Sequence, residues 1–154
     1  MMDQVKHAMY DGLLNVGSQQ TFKLGLDIHG VIDADPGFIW LANFLVEHHS
    51  EVHILTGTLD TPALRAELEA MSLKYTHLFS VASHHTRIGT KMWYTDPENP
   101  WMDAEAWNKS KADYCREHKI HLMVDDSEEY EKHFTTPYIR YRKGAGDGLQ
   151  NHDT

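Results

Sequence analysis

Cysteine is almost absent from this chain, because Cys115 is the only one among 154 residues. A single cysteine cannot form a disulfide within the chain, which favours a reducing compartment. The sequence also lacks any stretch near the roughly 18 consecutive apolar residues of a membrane-spanning helix, and its first residues lack the apolar centre of a signal peptide. We therefore expect a cytoplasmic protein with no membrane association.

Positive charge is scarce as well. The chain has 14 Lys and Arg against 23 Asp and Glu, a net charge of -9 with His neutral. Such a balance argues against an extended nucleic-acid-binding surface. An acidic protein that binds phosphate must neutralise it locally, and a divalent cation held by carboxylates is a common means. The composition is therefore compatible with a small phosphorylated ligand and hints at a metal ion.

Short apolar runs alternate with helical patterns through residues 21–143. The runs predicted as strands are 22–28, 51–56, 76–82, 121–126 and 137–142. The helical patterns begin after Pro36, at 61–74 with Thr61 as N-cap, and at 111–119. Strands alternating with helices predict one α/β domain with a mainly parallel five-stranded sheet in three layers.

Three segments show no sustained period. Residues 1–20 are predicted to be a loosely ordered lead-in, and the Gly-rich residues 144–154 a mobile tail. Residues 83–109 are predicted to be a long loop or short lid, longer than most connections in compact domains. Its aromatic residues either stack on a nucleobase or anchor the loop on the core; they are Trp93, Tyr94, Trp101 and Trp107.

Polar residues lie at the carboxyl ends of three of the predicted strands. The first strand ends at Asp27, the second at Thr56 and Gly57, and the fourth at Asp125 and Asp126. In open parallel sheets, ligands bind outside the carboxyl ends of the strands. Carboxylates brought together there repel one another unless a cation lies between them, and Mg²⁺ prefers a few carboxylates with water and substrate oxygens. The pattern predicts a site for metal and phosphate.

The order of these motifs resembles the haloacid dehalogenase superfamily. The set is Asp27-x-x-Gly30-Val31, then Thr56-Gly57, then a lysine on a helix, then Val124-Asp125-Asp126-Ser127, and it spans residues 22–142. The resemblance implies a three-layer Rossmann-like fold, with no large cap domain because little chain is left between the motifs. It also implies a Mg²⁺-dependent phosphohydrolase with an aspartyl-phosphate intermediate.

The resemblance assigns most of the site. Asp27 is the nucleophile and, with Asp126 and the backbone carbonyl of His29, a metal ligand. Asp125 is an indirect ligand through water. Thr56, helped by the amides of Gly57 and Thr58, binds the phosphoryl group, although a threonine after a strand also serves as a helix cap or turn residue.

The family's lysine offsets phosphate charge and steadies the nucleophile. Lys111 is preferred, because Ser110 is expected to cap the helix and place Lys111 in its first turn, facing the crevice. Lys109 is the alternative.

His29 stands where the family usually has an aspartate that acts as general acid and base. Three interpretations stay open: His29 transfers the proton itself, or turnover is slow, or the chain binds phosphate without catalysis. Asp33 and Asp35 are interpreted as loop acids outside the site.

The capless layout is similar to that of small nucleotidase-like members. The expected substrate is a nucleotide, another small phosphomonoester or a nucleic-acid end. The alternative function is a catalytically weak or inactive phosphate- and metal-binding protein. A flavodoxin-like protein would share the strand and helix alternation but gives no reason for Asp27 and Asp126 at strand ends. The oligomeric state stays open.

Overall fold

The computed structural model describes residues 21–97 and 99–144, and a five-stranded sheet lies at its centre. The described residues form these strands: β1 (Lys23–Leu26), β2 (Glu51–Thr56), β3 (His77–Ser80), β4 (Trp93–Asp96), β5 (Asn99–Trp101), β6 (Leu122–Asp125) and β7 (Tyr138–Arg140). The central sheet has the order β3-β2-β1-β6-β7, and every neighbouring pair in it is parallel. Strands β4 and β5 form a separate antiparallel hairpin.

Helices connect the strands. They are α1 (Gly37–Glu47), α2 (Pro62–Ala70), α3 (Val81–Arg87), α4 (Ala104–Glu117) and the single turn α5 (Glu128–Glu131). Thr61 caps α2 as predicted, because its hydroxyl accepts from the Leu64 amide at 3.2 Å. Pro62 at the first position costs α2 nothing, since an amide there has no partner within the helix.

Alternate residues of the strands build two hydrophobic layers, one on each face of the sheet. Leu24, Leu26 and Ile54 pack on one face with residues of α1 and α2. Leu55 and Met123 pack on the other face with Cys115 of α4. Each fully buried side chain of this size contributes roughly 1.5–3 kcal/mol to folding. The predicted α/β class and three-layer arrangement with a parallel five-stranded sheet are thus confirmed.

The predicted loop over residues 83–109 is wrong in its secondary structure. Helix α3 extends to Arg87, the β4–β5 hairpin follows, and α4 already begins at Ala104. The predicted start of that helix near residue 111 is therefore about two turns late. Asp103 is the actual N-cap, since its carboxylate accepts from the Ala106 amide at 2.9 Å.

The predicted lead-in, residues 1–20, lies outside the described residues, as does residue 145 onward of the predicted tail. Across residues 21–97 and 99–144, no helix combines the length and the apolar character needed to cross a membrane.

Candidate functional site

A cavity of about 680 Å³ opens where the carboxyl ends of β1, β2 and β6 meet. Its lining includes Asp27 after β1, Gly57 and Thr58 after β2, and Asp126 after β6. Lys111 of α4 also reaches it. The structure thus brings together residues from four separate parts of the sequence at the predicted edge of the sheet.

Lys111 lies between two carboxylates. Its ammonium donates to Oδ1 of Asp27 at 2.9 Å and to Oδ2 of Asp125 at 2.7 Å. The Lys111 side chain is only 4% exposed. Burial alone would lower the pKa of Lys111, but the attraction of the two carboxylates outweighs it and the pKa is raised. Lys111 is therefore a permanent positive charge that holds Asp27 in place.

The structure distinguishes the two candidate lysines. Lys109 is exposed, and it is not among the residues that line the cavity. The choice of Lys111 agrees with the geometry, but the predicted helix start at Ser110, on which the choice was based, is wrong. Ser110 is not a cap: it lies within α4, where its hydroxyl donates to the Ala106 carbonyl at 2.6 Å. Lys111 lies in the middle of the helix rather than in its first turn.

The acidic residues carry more negative charge than Lys111 cancels. Carboxylate oxygens of Asp27, Asp125 and Asp126 all lie within 4.8 Å of one another. Burial, opposed by Lys111 and supported by Asp125, raises the pKa of Asp27 to about 6. Partial burial and nearby Asp125 also raise the pKa of Asp126. When ionised, three carboxylates and one ammonium leave two net negative charges, which suits a divalent cation.

Asp125 and Asp126 differ in what surrounds them. Asp125 is fully buried, and its second oxygen accepts from the Ser127 amide at 3.0 Å. Its observed contacts are therefore with Lys111 and the backbone, and the predicted contact to a metal through water stays a prediction. Asp126 is exposed and lines the cavity, which leaves its carboxylate available to a ligand.

Gly30 allows the turn after β1 to approach Asp126. Its φ of +84° falls in the left-handed region, and a Cβ built on it would lie 2.1 Å from Oδ2 of Asp126. Any side chain at position 30 would thus displace the Asp126 carboxylate. The glycine of the first motif is required by this close approach.

His29 lies at the cavity with a partner on each ring nitrogen. Nδ1 lies 3.2 Å from Oδ2 of Asp33, and Nε2 lies 3.3 Å from the hydroxyl of Thr58. A carboxylate can only accept, so Nδ1–H donates to Asp33, and the Thr58 hydroxyl donates to Nε2 in the neutral ring. In the neutral ring, Nε2 is therefore the nitrogen without a proton.

Asp33, interpreted from the sequence as a loop acid outside the site, does not line the cavity but contacts His29 and Gly30. Its other oxygen accepts from the Gly30 amide at 2.7 Å, so one carboxylate fixes both the turn and the His29 ring. Four positions separate His29 from Asp33, but His29 and Gly30 have non-helical backbone angles, so the contact comes from the tight turn at Gly30 and not from a helical repeat.

Thr56 does not occupy the place predicted for it. It is fully buried and absent from the cavity lining, and its hydroxyl accepts from the Thr58 amide at 3.1 Å. The structure supports the interpretation of Thr56 as a turn residue, and it places Gly57 and Thr58 at the cavity instead. The amide of Thr58, which was expected to help bind the phosphoryl group, donates to the Thr56 hydroxyl instead.

Fold and site together define an α/β protein with an acidic cavity at the carboxyl edge of a parallel sheet, where Lys111 forms ion pairs with Asp27 and Asp125. Comparisons with protein-family models, with curated proteins and with solved structures find no match for this chain.

Proposed function

We propose that this protein is a Mg²⁺-dependent phosphohydrolase of the haloacid dehalogenase type, which moves a phosphoryl group from a small phosphomonoester to Asp27 and then to water. The observation that carries the proposal is the ion-paired group of Asp27, Lys111 and Asp125, with Asp126 beside it at an open cavity.

The donor set fits Mg²⁺. This ion takes hard oxygen ligands, usually one or two carboxylates with water and phosphate oxygens. Asp27, Asp126 and the backbone carbonyl of His29 would hold it, and the excess negative charge of the cluster would favour it. When bound, the ion neutralises the phosphoryl oxygens so that a carboxylate can approach them.

Asp27 then acts as the nucleophile. A carboxylate oxygen of Asp27 forms a bond to phosphorus while the bond from phosphorus to the leaving oxygen breaks. Lys111 fixes the orientation of Asp27 and adds positive charge where the phosphoryl group binds. Gly57, which follows β2, borders the same cavity, and its amide would donate to a phosphoryl oxygen, whereas the amide of Thr58 already donates to Thr56.

His29 moves the proton in both steps. Protonated at Nε2, it gives a proton to the leaving oxygen as the aspartyl-phosphate forms. The neutral ring then takes a proton from water, whose oxygen attacks phosphorus and releases Asp27 and inorganic phosphate. Proton and charge balance over the cycle. Asp33 keeps the ring oriented throughout.

We propose a cytoplasmic location from the cysteine usage. The chain has a single cysteine, Cys115, and therefore no disulfide within it, which is typical of proteins in reducing compartments. Burial raises the pKa of this thiol to about 12, so it stays protonated.

A phosphatase screen tests the proposal. Wild type, Asp27→Asn and the control Lys109→Met are assayed on nucleotides, sugar phosphates and phosphorylated DNA ends, with and without Mg²⁺. The expected result is Mg²⁺-dependent phosphate release by wild type and Lys109→Met, and none by Asp27→Asn.

Two outcomes count against it. Turnover that persists in Asp27→Asn rejects covalent catalysis by this residue. Absence of turnover on every substrate, combined with calorimetric binding of Mg²⁺ and beryllofluoride, a phosphoryl mimic, favours the weak or inactive binding protein.

A further inference from the structure

The cavity is larger than a phosphoryl group requires. Its volume of about 680 Å³ falls within the roughly 300–1,000 Å³ of pockets that bind whole small molecules. Asp27, Lys111 and Asp126 occupy one end. The remainder is bordered by the β4–β5 hairpin, by α4 and by α5, which contribute Trp101, Trp107 and Tyr130.

Both indole rings at this wall have their polar atom occupied. The Trp101 N–H donates to the hydroxyl of Thr95 at 3.0 Å, and the Trp107 N–H donates to the hydroxyl of Tyr130 at 3.1 Å. Since each N–H is bonded within the protein, the rings offer a ligand carbon surface only. Trp101 lines the cavity and is 60% exposed, so its ring is accessible to a ligand there.

The aromatic wall lies next to the phosphate end. A Cβ on Gly57 would lie 2.8 Å from Cζ2 of Trp107, so the Trp107 ring packs directly on the backbone of the turn after β2. A molecule with its phosphate at Asp27 and Gly57 would therefore place its next atoms along the Trp107 ring.

The remaining lining residues favour a neutral ring with one phosphate. Asn108 lies on the same wall and offers an amide that can pair with ring heteroatoms. Glu129, on the α5 side, would repel additional phosphates.

We propose that Trp101 and Trp107 form a subsite for a flat aromatic group, so that the substrate is a phosphomonoester bearing a nucleobase or an aryl ring and a single phosphate. The inference rests on the proposed phosphohydrolase function, because it takes the phosphate to lie at Asp27.

The hairpin offers a matched pair of variants. Trp93 lies directly opposite Trp101 in the register of β4 and β5 and is similarly exposed, at 52%, but it does not line the cavity. Trp101→Ala and Trp93→Ala therefore remove the same side chain from neighbouring positions on one face of the hairpin, and only Trp101 lines the cavity. Circular dichroism of both variants checks that they fold.

The experiment measures kcat/KM of wild type and both variants on a nucleoside monophosphate, an aryl phosphate and glycerol phosphate, which has no ring. We expect Trp101→Ala to lower kcat/KM about tenfold or more on the ring-bearing substrates, mainly through KM, because base–aromatic stacking is lost. Glycerol phosphate turnover should not change, and Trp93→Ala should resemble wild type on all three. A larger loss on the nucleotide than on the aryl phosphate identifies the nucleobase as the ring.

Equal losses on substrates with and without a ring, or the same effect from Trp93→Ala, overturn the subsite. Calorimetric titration with the nucleoside monophosphate separates this failure from that of the proposed function. Binding that Trp101→Ala weakens and Trp93→Ala retains supports the subsite even if wild type releases no phosphate. Absence of nucleotide binding together with ring-independent turnover rejects the subsite alone.

Discussion

The two ends of the central sheet each carry a cluster of ionisable groups, and the clusters differ in what they leave unbalanced. The carboxyl-end cluster consists of Asp27, Lys111, Asp125 and Asp126; the amino-end cluster consists of Glu51, His53, His77 and Tyr114. In each cluster, three residues offer ligand atoms that lie within 4.8 Å of one another: Asp27, Asp125 and Asp126 in the first, and Glu51, His53 and His77 in the second. Proximity alone would assign a cation to either.

The amino-end cluster is satisfied internally. His53 is buried, its Nε2–H donates to Glu51 at 2.8 Å, and the Tyr114 hydroxyl donates to its Nδ1 at 2.8 Å. Burial lowers the pKa of His53, so the ring is neutral, and Lys23 lies 3.6 Å from the Glu51 carboxylate. The charges of Lys23 and Glu51 cancel.

The carboxyl-end cluster retains two negative charges after Lys111 is counted, and it borders a cavity. Buried polar groups are therefore not in themselves a sign of function; most of them are simply satisfied. Uncancelled charge facing an open cavity distinguishes the carboxyl-end cluster, to which we assign the proposed function, from the amino-end cluster. Variants of the carboxyl-end cluster should therefore change turnover, whereas variants of the amino-end cluster should change stability and leave turnover unchanged.

Asp27→Asn gives the largest expected effect. Loss of the nucleophile should reduce turnover by about 10³-fold or more.

The free energy of unfolding of Asp27→Asn should equal or exceed that of wild type near neutral pH. The pKa of Asp27 is raised from 3.8 to about 6 in the fold, so the stability it contributes is present below pH 3.8 and lost as the pH rises through about 6. Above that pH the ionised carboxylate costs stability, which Asn avoids. Phosphate release measures the turnover of the variant, and thermal unfolding at about pH 7.5 measures its stability. A strongly destabilised but active variant would reverse the assignment.

Lys111→Met should lower kcat by about 10²- to 10³-fold, the usual consequence of removing one charge-stabilising donor. It also leaves the buried carboxylates of Asp27 and Asp125 without their cation, so stability should fall as well. Lys109→Met is the matched control on the same helix and should stay within about twofold of wild type, as surface substitutions usually do. A comparable loss of turnover in both variants would contradict the geometry.

Asp33→Asn should lower kcat by about 10- to 100-fold, because the His29 ring loses the carboxylate that orients it. This loss is a part of the rate enhancement that general acid–base catalysis supplies. Asp35→Asn is the control. Asp35 lies in the same loop but bonds the Gly37 amide and the Tyr141 hydroxyl instead. Steady-state kinetics on one substrate compare the two. Unchanged kcat in Asp33→Asn would show that His29 does not depend on this partner.

His53→Gln should reduce the free energy of unfolding by about 1–3 kcal/mol, because buried hydrogen-bonding groups lose a partner, and should leave turnover per folded molecule unchanged. The more exposed His77, whose ring stacks on His53 at 4.1 Å, serves as control. Urea unfolding of His77→Gln should show a smaller loss. Equal losses of stability in both variants would contradict a special role for the buried ring.

The same variant tests the pH dependence. The pKa of His53 is lowered below its ordinary 6.5, so its contribution to stability is complete above pH 6.5 and is lost as the pH falls. The advantage of wild type over His53→Gln should therefore narrow between about pH 7.5 and about pH 5. An advantage that widened on acidification would require a charged His53 in the fold.

The central sheet was predictable because its strands are short, buried apolar runs. The predicted strand 51–56 coincides with β2, and Asp27 and Asp126 follow β1 and β6 as expected. The hairpin was not predictable from periodicity, since the residues of β4 are exposed on both faces and show no alternation. The first half of α4 was missed because Trp107, Asn108 and Lys111 face a cavity rather than the core, which removes the helical repeat of apolar residues.

The site was predictable at the level of motifs and less so at the level of atoms. Lys111 could be chosen from its segment, but only the fold shows its two carboxylate partners. Thr58 rather than Thr56 lines the cavity because the turn after β2 encloses the first hydroxyl, and a sequence does not show which way a turn faces. The pairing of His53 with Tyr114, 61 positions apart, depends on the packing of α4 against the sheet.

Covalent phosphorylation of Asp27 is the central claim, and trapping the intermediate tests it most directly. Wild type is mixed with Mg²⁺ and a hydrolysed phosphomonoester, quenched in acid within a turnover and analysed by peptide mass spectrometry. The account predicts one added phosphoryl group on the peptide that contains Asp27, and none in Asp27→Asn or without Mg²⁺. A phosphoryl group on another residue, or turnover with no labelled peptide at any quench time, would contradict it.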